Sequence, residues 1–128
     1  MPVTFVNPPG VHDTAGRYHH AALIEAPARR LLLSGQVGIA PDGSIPEGAE
    51  AQARQLLANM KAILESQGMG FAHVAKITAF LTDAAQIPAW RAARTEAFGG
   101  AATASTLLLV AGLADPRLLL EVEAEAIL

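Results

Sequence analysis

The end of the chain, Leu120-Glu121-Val122-Glu123-Ala124-Glu125-Ala126, alternates apolar and acidic residues. A strand turns successive side chains to opposite faces, so Glu121, Glu123 and Glu125 share one face and the apolar residues share the other. The pattern predicts a strand from Leu119 to Ile127. Its acidic face must meet water, a ligand cleft or a partner that supplies positive groups. The same period reads Val3 to Val6 as a short strand, closed by Asn7-Pro8-Pro9-Gly10. Tyr18 to Glu25 reads as a second strand. Arg30-Leu31-Leu32-Leu33-Ser34, just past Ala26-Pro27-Ala28, reads as its antiparallel hairpin partner. Gly35 interrupts this pattern and predicts a bulge or a close backbone approach. Pro41-Asp42-Gly43 is a turn, because Pro fixes φ and Asp and Gly favour turn conformations.

From about Glu47 to Gln67 the period changes. Ala49, Ala53, Leu56, Leu57, Met60, Ile63 and Leu64 form one apolar stripe at helical spacing, and Gly68 stands at the expected C-terminal cap. Val74 to Leu81 is a strand rich in Val, Ile, Thr and Phe. Asp83 caps a second helical region with Pro88 near its start, Ile87, Trp90, Arg94 and Phe98 along one side, and Gly99-Gly100 at its end. Ser105 to Val110 and Leu119 to Ile127 are the last two strands. The expected order is β-β-β-α-β-α-β-β, an α+β mixed sheet with two helices packed on one face. Ser105 to Val110 is apolar on both faces, since Leu107 and Leu109 oppose Leu108 and Val110. Such a strand is expected to be buried on both sides. The face left bare by the helices then needs a cover from outside the chain, and a second copy is the simplest one.

Composition narrows the function. The 128 residues suit one domain, 1–128, with 52% hydrophobic and 16% charged residues. No cysteine is present, which excludes disulfides and thiolate metal sites. Met1-Pro2-Val3-Thr4-Phe5 lacks the basic segment and apolar core of a signal peptide, and no apolar run approaches membrane-helix length, so a cytoplasmic location is expected. Net charge is −3 with nine Lys plus Arg scattered along the chain, which argues against nucleic acid as a partner. His12, His19, His20 and His73 supply no convincing metal-ligand set, and no cofactor is expected.

Several segments taken in order point to a family. Gly16-Arg17-Tyr18-His19-His20-Ala21 opens the second strand, and Leu33-Ser34-Gly35-Gln36-Val37 ends the third. Gln52-Ala53-Arg54-Gln55 with Asn59 lies on the first helix, and Val74-Ala75-Lys76-Ile77-Thr78-Ala79-Phe80-Leu81 forms the central strand. Ser105-Thr106-Leu107 and Leu120-Glu121-Val122-Glu123-Ala124 close the set. Across nearly its whole length the chain resembles the RidA (YjgF) family. The resemblance implies a chorismate-mutase-like fold assembled as a homotrimer, with sheets in a central barrel, helices outside and a cleft at each subunit interface. It also implies hydrolysis of reactive imines and enamines to ketoacids and ammonia. In that family an arginine binds the substrate carboxylate, a glutamate positions or activates water, and a tyrosine and backbone amides orient the ligand.

Carried over, these roles fall on Tyr18 and Glu121, with Ser34 and Gly35 in the loop that borders the cleft and Thr106 beside it. The arginine is missing. Where deaminating members read Pro-Ala-Arg-Ser/Thr, this chain reads Ala102-Thr103-Ala104-Ser105-Thr106, which puts Ala104 at the carboxylate-binding position. A methyl group cannot replace a guanidinium fork, and the loss costs about 2–5 kcal/mol of binding. This counts against ordinary 2-imino acid deamination unless Arg17 or Arg117 reaches in.

The residues themselves leave alternatives open. His20, on one strand face with Tyr18, reads as a polar wall or proton-transfer group of the cleft, or as a hydrogen-bonded interface histidine. Glu121 reads as a water activator or as a carboxylate paired across an interface. Glu123 and Glu125 read as lining of a wet channel or solvent face. Ser34 has no visible Ser-His-Asp arrangement around it, and Gly35 with Gly38 makes no phosphate cradle. Trp90 and Phe98 read as core, and Arg91 and Arg94 as solvated or interface groups. Two functions follow: a RidA-type hydrolase of a small imine, enamine or amide, or a non-catalytic module that binds a small metabolite.

Overall fold

The computed structural model describes residues 2–10, 13–16 and 18–128. Strands β1 (Val3–Val6) and β2 (Ala21–Ile24) pair antiparallel as a two-stranded ribbon. The main sheet contains β3 (Arg30–Val37), β4 (Val74–Leu81), β5 (Ala104–Leu109) and β6 (Leu120–Ile127), in the order β3-β6-β4-β5. Only β4 and β5 run parallel; β6 pairs antiparallel with both of its neighbours.

Two helices, α1 (Ala49–Ser66) and α2 (Ile87–Phe98), connect these strands. The stripe of α1 buries Ala53, Leu56, Leu57, Met60 and Leu64 against Leu33, Ile77, Ala79, Leu81 and Val122 of the sheet. Past α1, Gly68 takes φ +70°, and the N–H groups of Gly68 and Met69 donate to the carbonyls of Glu65 and Leu64. Asp83 accepts from the Ala85 N–H at 2.8 Å, opening a short 3-10 turn that runs into α2 with Pro88 in its first turn. Trp90, Ala93 and Phe98 join the core from α2.

All this apolar packing lies on one side of the sheet. The other side carries Glu121, Glu123 and Glu125 in register with Phe80, Thr78 and Lys76. No helix among the described residues covers it, and Leu32 and Leu108 there remain 67% and 45% exposed. Glu121 and Glu125 are half-buried and Glu123 is exposed, while Leu120, Val122, Ala124 and Ala126 are buried beneath the helices, as alternation requires.

One expectation is corrected. The Tyr18–Glu25 segment does not form a hairpin with Arg30–Ser34; β2 pairs with β1, and β3 pairs with β6. Ala26 adopts φ +41°, Pro27 has no N–H to donate, and the next two N–H groups, of Ala28 and Arg29, both donate to the Leu128 carbonyl. The entry to β3 is thereby fastened to the end of β6. Within the single chain, Ser105 to Val110 keeps apolar residues uncovered. Among the named strands it pairs with β4 alone and forms the sheet edge, leaving Leu108 and Leu109 exposed. The expected bulge at Gly35 is present as a register slip between Leu33 and Gln36. No helix among the described residues is long and apolar enough to cross a membrane.

Candidate functional site

One group of the expected site residues gathers where β5 begins. His19 makes an isolated parallel bridge to Ala104, its N–H donating to the Thr103 carbonyl at 3.2 Å. This short pairing turns Tyr18 and His20 to the same side, with their rings edge-on at 5.6 Å. His19 points away and stacks on Phe5 at 5.0 Å. Asn7 fixes the segment, its Oδ1 accepting from the His20 N–H at 2.9 Å. Ala104 is buried, and it lies in register with Lys76 of β4. Lys76 Nζ donates to Thr106 Oγ1 at 2.7 Å, so the cation nearest in register to Ala104 is a lysine from the neighbouring strand. The sequence reading missed it, although alternation along β4 puts Lys76 opposite the buried Ile77.

The second group lies at the β3–β6 pair. Gly35 at the bulge lies directly against the Glu121 carboxylate, and an added Cβ would overlap it. Ser34 is exposed, and its carbonyl accepts from Gln36 Nε2 at 3.1 Å. Asn59 of α1 holds the end of β3 by donating from Nδ2 to the carbonyls of Val37 and Ile39 at 3.0 and 2.9 Å. The buried Gln52 fastens the loop before β6: its Nε2 donates to the carbonyls of Pro46 and Arg117, and its Oε1 accepts from the Leu119 N–H. The helix residues singled out from the sequence thus hold the backbone that carries Glu121.

The two groups do not meet in one chain. Phe80 lies opposite Glu121 on one side and Leu108 on the other, whereas Ala104 lies opposite Lys76. Four residues along the strand and two strand spacings across therefore separate Glu121 from Ala104, about 16 Å. Of the two suggested substitute arginines, the structure describes Arg117 alone. Arg17, like His12, lies outside the described residues. Arg117 is exposed and committed to Asp115, with Nη2–Oδ2 at 2.8 Å and Nε–Oδ1 at 3.1 Å. The Arg117 side chain, and then its backbone N–H, hold the Asp115 carboxyl down at about 2. Among the described residues, no three His, Asp or Glu side chains converge as a metal site.

An α+β sheet bared on one face, with both helices on the other, defines the chorismate-mutase-like class. Comparison with known proteins narrows the class to a family. The family model described as Endoribonuclease L-PSP matches residues 11–128, and the chain belongs to this family, that of RidA and YjgF. It is 46% identical over 54 residues to a RutC family protein of Pasteurella multocida, covering 41% of this chain and 42% of that one. To the rat 2-iminobutanoate/2-iminopropanoate deaminase it is 36% identical over 70 residues, 53% of this chain and 49% of the relative. The chain thus spans about half, or less, of the length of these curated relatives. Among solved structures, the Rid family protein YyfB of Yersinia pestis aligns over 100% of both chains with a TM-score of 0.89 and 30% identity. Escherichia coli TdcF with bound serine aligns over 87% of both at a TM-score of 0.74 and 28% identity.

Proposed function

We propose that the protein is a RidA-type hydrolase, a single domain over 1–128 that takes a small reactive imine or enamine into a cleft formed between copies of the chain. The carrying observation is the division of the site residues. Ala104 and Thr106 lie at one end of the uncovered sheet face, with Tyr18 and His20 beside them past the edge of β5, and Gly35 and Glu121 lie about 16 Å away on that same face. A second copy packed on this face brings the Glu121 group of one subunit against the Tyr18 group of another. Relatives named as 2-iminobutanoate/2-iminopropanoate deaminases support the reaction class. In that reaction water adds to the C=N carbon, and Glu121 accepts its proton and returns it to nitrogen. The carbinolamine hydroxyl then gives up its proton, which Glu121 passes to the amine; the C=O bond forms as the C–N bond breaks, and ammonia leaves behind a ketone. Positioned water and one proton relay suffice for this chemistry.

Ala104 lowers affinity for the carboxylate that ordinary 2-imino acids present, so a neutral substrate, or one whose carboxylate binds elsewhere, fits better. RNA fits poorly, because the exposed face carries three glutamates and the net charge is −3. Added to an enzyme system that releases 2-aminoacrylate, the purified protein should accelerate ammonia and pyruvate formation, and Glu121→Ala should abolish the gain. No acceleration, and none gained by a correctly assembled Ala104→Arg variant, would overturn the deaminase reading. The missing guanidinium favours a second reading, a non-catalytic metabolite-binding module. Thermal stabilisation by an imine or amide that is recovered unchanged would identify it.

A further inference from the structure

The segment that carries Tyr18 and His20 has a single bridge of regular pairing, so side chains must help to place it. Tyr18 forms part of the wall of a cavity of about 490 Å³ between β5 and α2. Asn7, the residue after β1, grips the segment at two points. Its Oδ1 accepts from the His20 N–H at 2.9 Å, and its Nδ2 lies 2.6 Å from His19 Nδ1. The backbone N–H can only donate, which turns the amide oxygen toward His20 and the amide NH2 toward the imidazole. Nδ2 then donates and Nδ1 accepts, so the neutral His19 carries its proton on Nε2. Protonation adds a hydrogen to Nδ1 and sets two donors face to face, which breaks the contact. Among the described residues, the elements packed against the ring bring it no charge. β1 supplies the stacked Phe5 at 5.0 Å, and the start of β5 supplies Thr103 and Ala104. Asp13, in the preceding loop, accepts from the Ala15 N–H at 2.9 Å. Tyr18 and His20 turn to the opposite side, and His19 makes no ion pair with a described residue.

We propose that Asn7 and His19 form a pH-sensitive clamp that positions the Tyr18–His20 wall of the ligand cleft. With His19 neutral the clamp is closed and the wall is in place. As pH falls through the range in which imidazoles titrate, Asn7 Nδ2 loses its acceptor, the segment loosens and ligand affinity falls. The inference rests on reading Tyr18 and His20 as a wall of the cleft. It makes Asn7 a positioning residue that acts through His19 and the His20 backbone.

Tyr18 is the chain's single tyrosine, so its ring resonances report the wall without turnover. NMR spectra of the full-length protein should be followed from about pH 8 to about pH 5. At the upper end His19 should show the Nε2–H tautomer. On acidification the Asn7 side-chain amide, the His20 N–H and the Tyr18 ring should shift with the midpoint of the His19 imidazole. A charge on His20 also reaches the Tyr18 ring, so two variants isolate the clamp. His19→Asn keeps an acceptor facing Asn7 but cannot protonate, and Asn7→Asp accepts from both the His20 N–H and a protonated Nδ1. Each should remove the His19-linked part of the Tyr18 response and leave the His20-linked part. In hydrolysis assays, KM should rise on acidification about three- to tenfold more in the unmodified chain than in either variant, as for loss of one hydrogen bond. A neutral His19 with its proton on Nδ1, an unchanged Tyr18 response in both variants, or an equal rise of KM in Asn7→Asp would each overturn the clamp. Absence of turnover would count against the hydrolase reading alone, because the resonances still test the clamp.

Discussion

Gly35 and Gly38, three residues apart on the same strand end, should fail in opposite ways when given a methyl group. Neither adopts a left-handed φ, so the effect of alanine is steric. At Gly35 the methyl meets only the far end of the Glu121 side chain, which can rotate away. Holding that carboxylate off its rotamer costs about 0.5–1.5 kcal/mol, a few degrees of Tm for a domain of this size. At Gly38 the methyl meets Gln52 Cα and Cβ at 2.8 Å and its carbonyl oxygen at 2.9 Å, at the start of α1. These atoms yield only if the helix shifts, an overpacking cost of about 1–3 kcal/mol, or roughly 3–12 °C. Gly35→Ala should therefore melt close to the unmodified protein while turnover falls about 100-fold or more, as for loss of a general base. Gly38→Ala should melt much lower and keep its chemistry at temperatures where it is folded. Thermal unfolding by circular dichroism alongside ammonia release separates the two. Full turnover in Gly35→Ala would refute the placement of Glu121 at the reacting centre.

Gln52→Leu removes three hydrogen bonds from a buried side chain and strands the Leu119 N–H and the Pro46 and Arg117 carbonyls. A loss of about 2–4 kcal/mol in chemical denaturation is expected, and an unchanged midpoint would contradict the latch. The Asp115 carboxyl is held at about 2, below its ordinary 3.8, so its pairing with Arg117 adds stability above the ordinary value and loses it as pH falls through about 2. The stability difference between the unmodified protein and Asp115→Asn should therefore be flat above about pH 4 and shrink toward pH 2. A difference that grows on acidification would contradict the pairing.

Local pattern carried much of this architecture. The acidic alternation of β6 and the stripe of α1 are legible because each repeats the period of its own element against a single core. The common face of Tyr18 and His20 follows from the same logic, although strand structure there shrinks to one bridge. The partner of β3 was not legible. Its neighbour in sequence is β2, but its hydrogen bonds go to β6, about ninety residues away, and no short-range signal encodes that choice. For the same reason the contact between Gly35 and Glu121 appears in the sequence only as a glycine that breaks a strand. Arg91 and Arg94 read as solvated or interface groups because the lean of α2 against β5, which brings both into one cavity, depends on packing.

The central claim, a cleft shared between copies, is tested most directly by mixing subunits. Tyr18→Ala and Glu121→Ala should each be inactive alone. After the two are unfolded and refolded together, some clefts combine an intact Tyr18 group from one copy with an intact Glu121 from another. Random assortment should restore roughly a quarter of the unmodified turnover. No recovery in verified mixed oligomers, or a monomeric mass at micromolar concentration, would contradict the account.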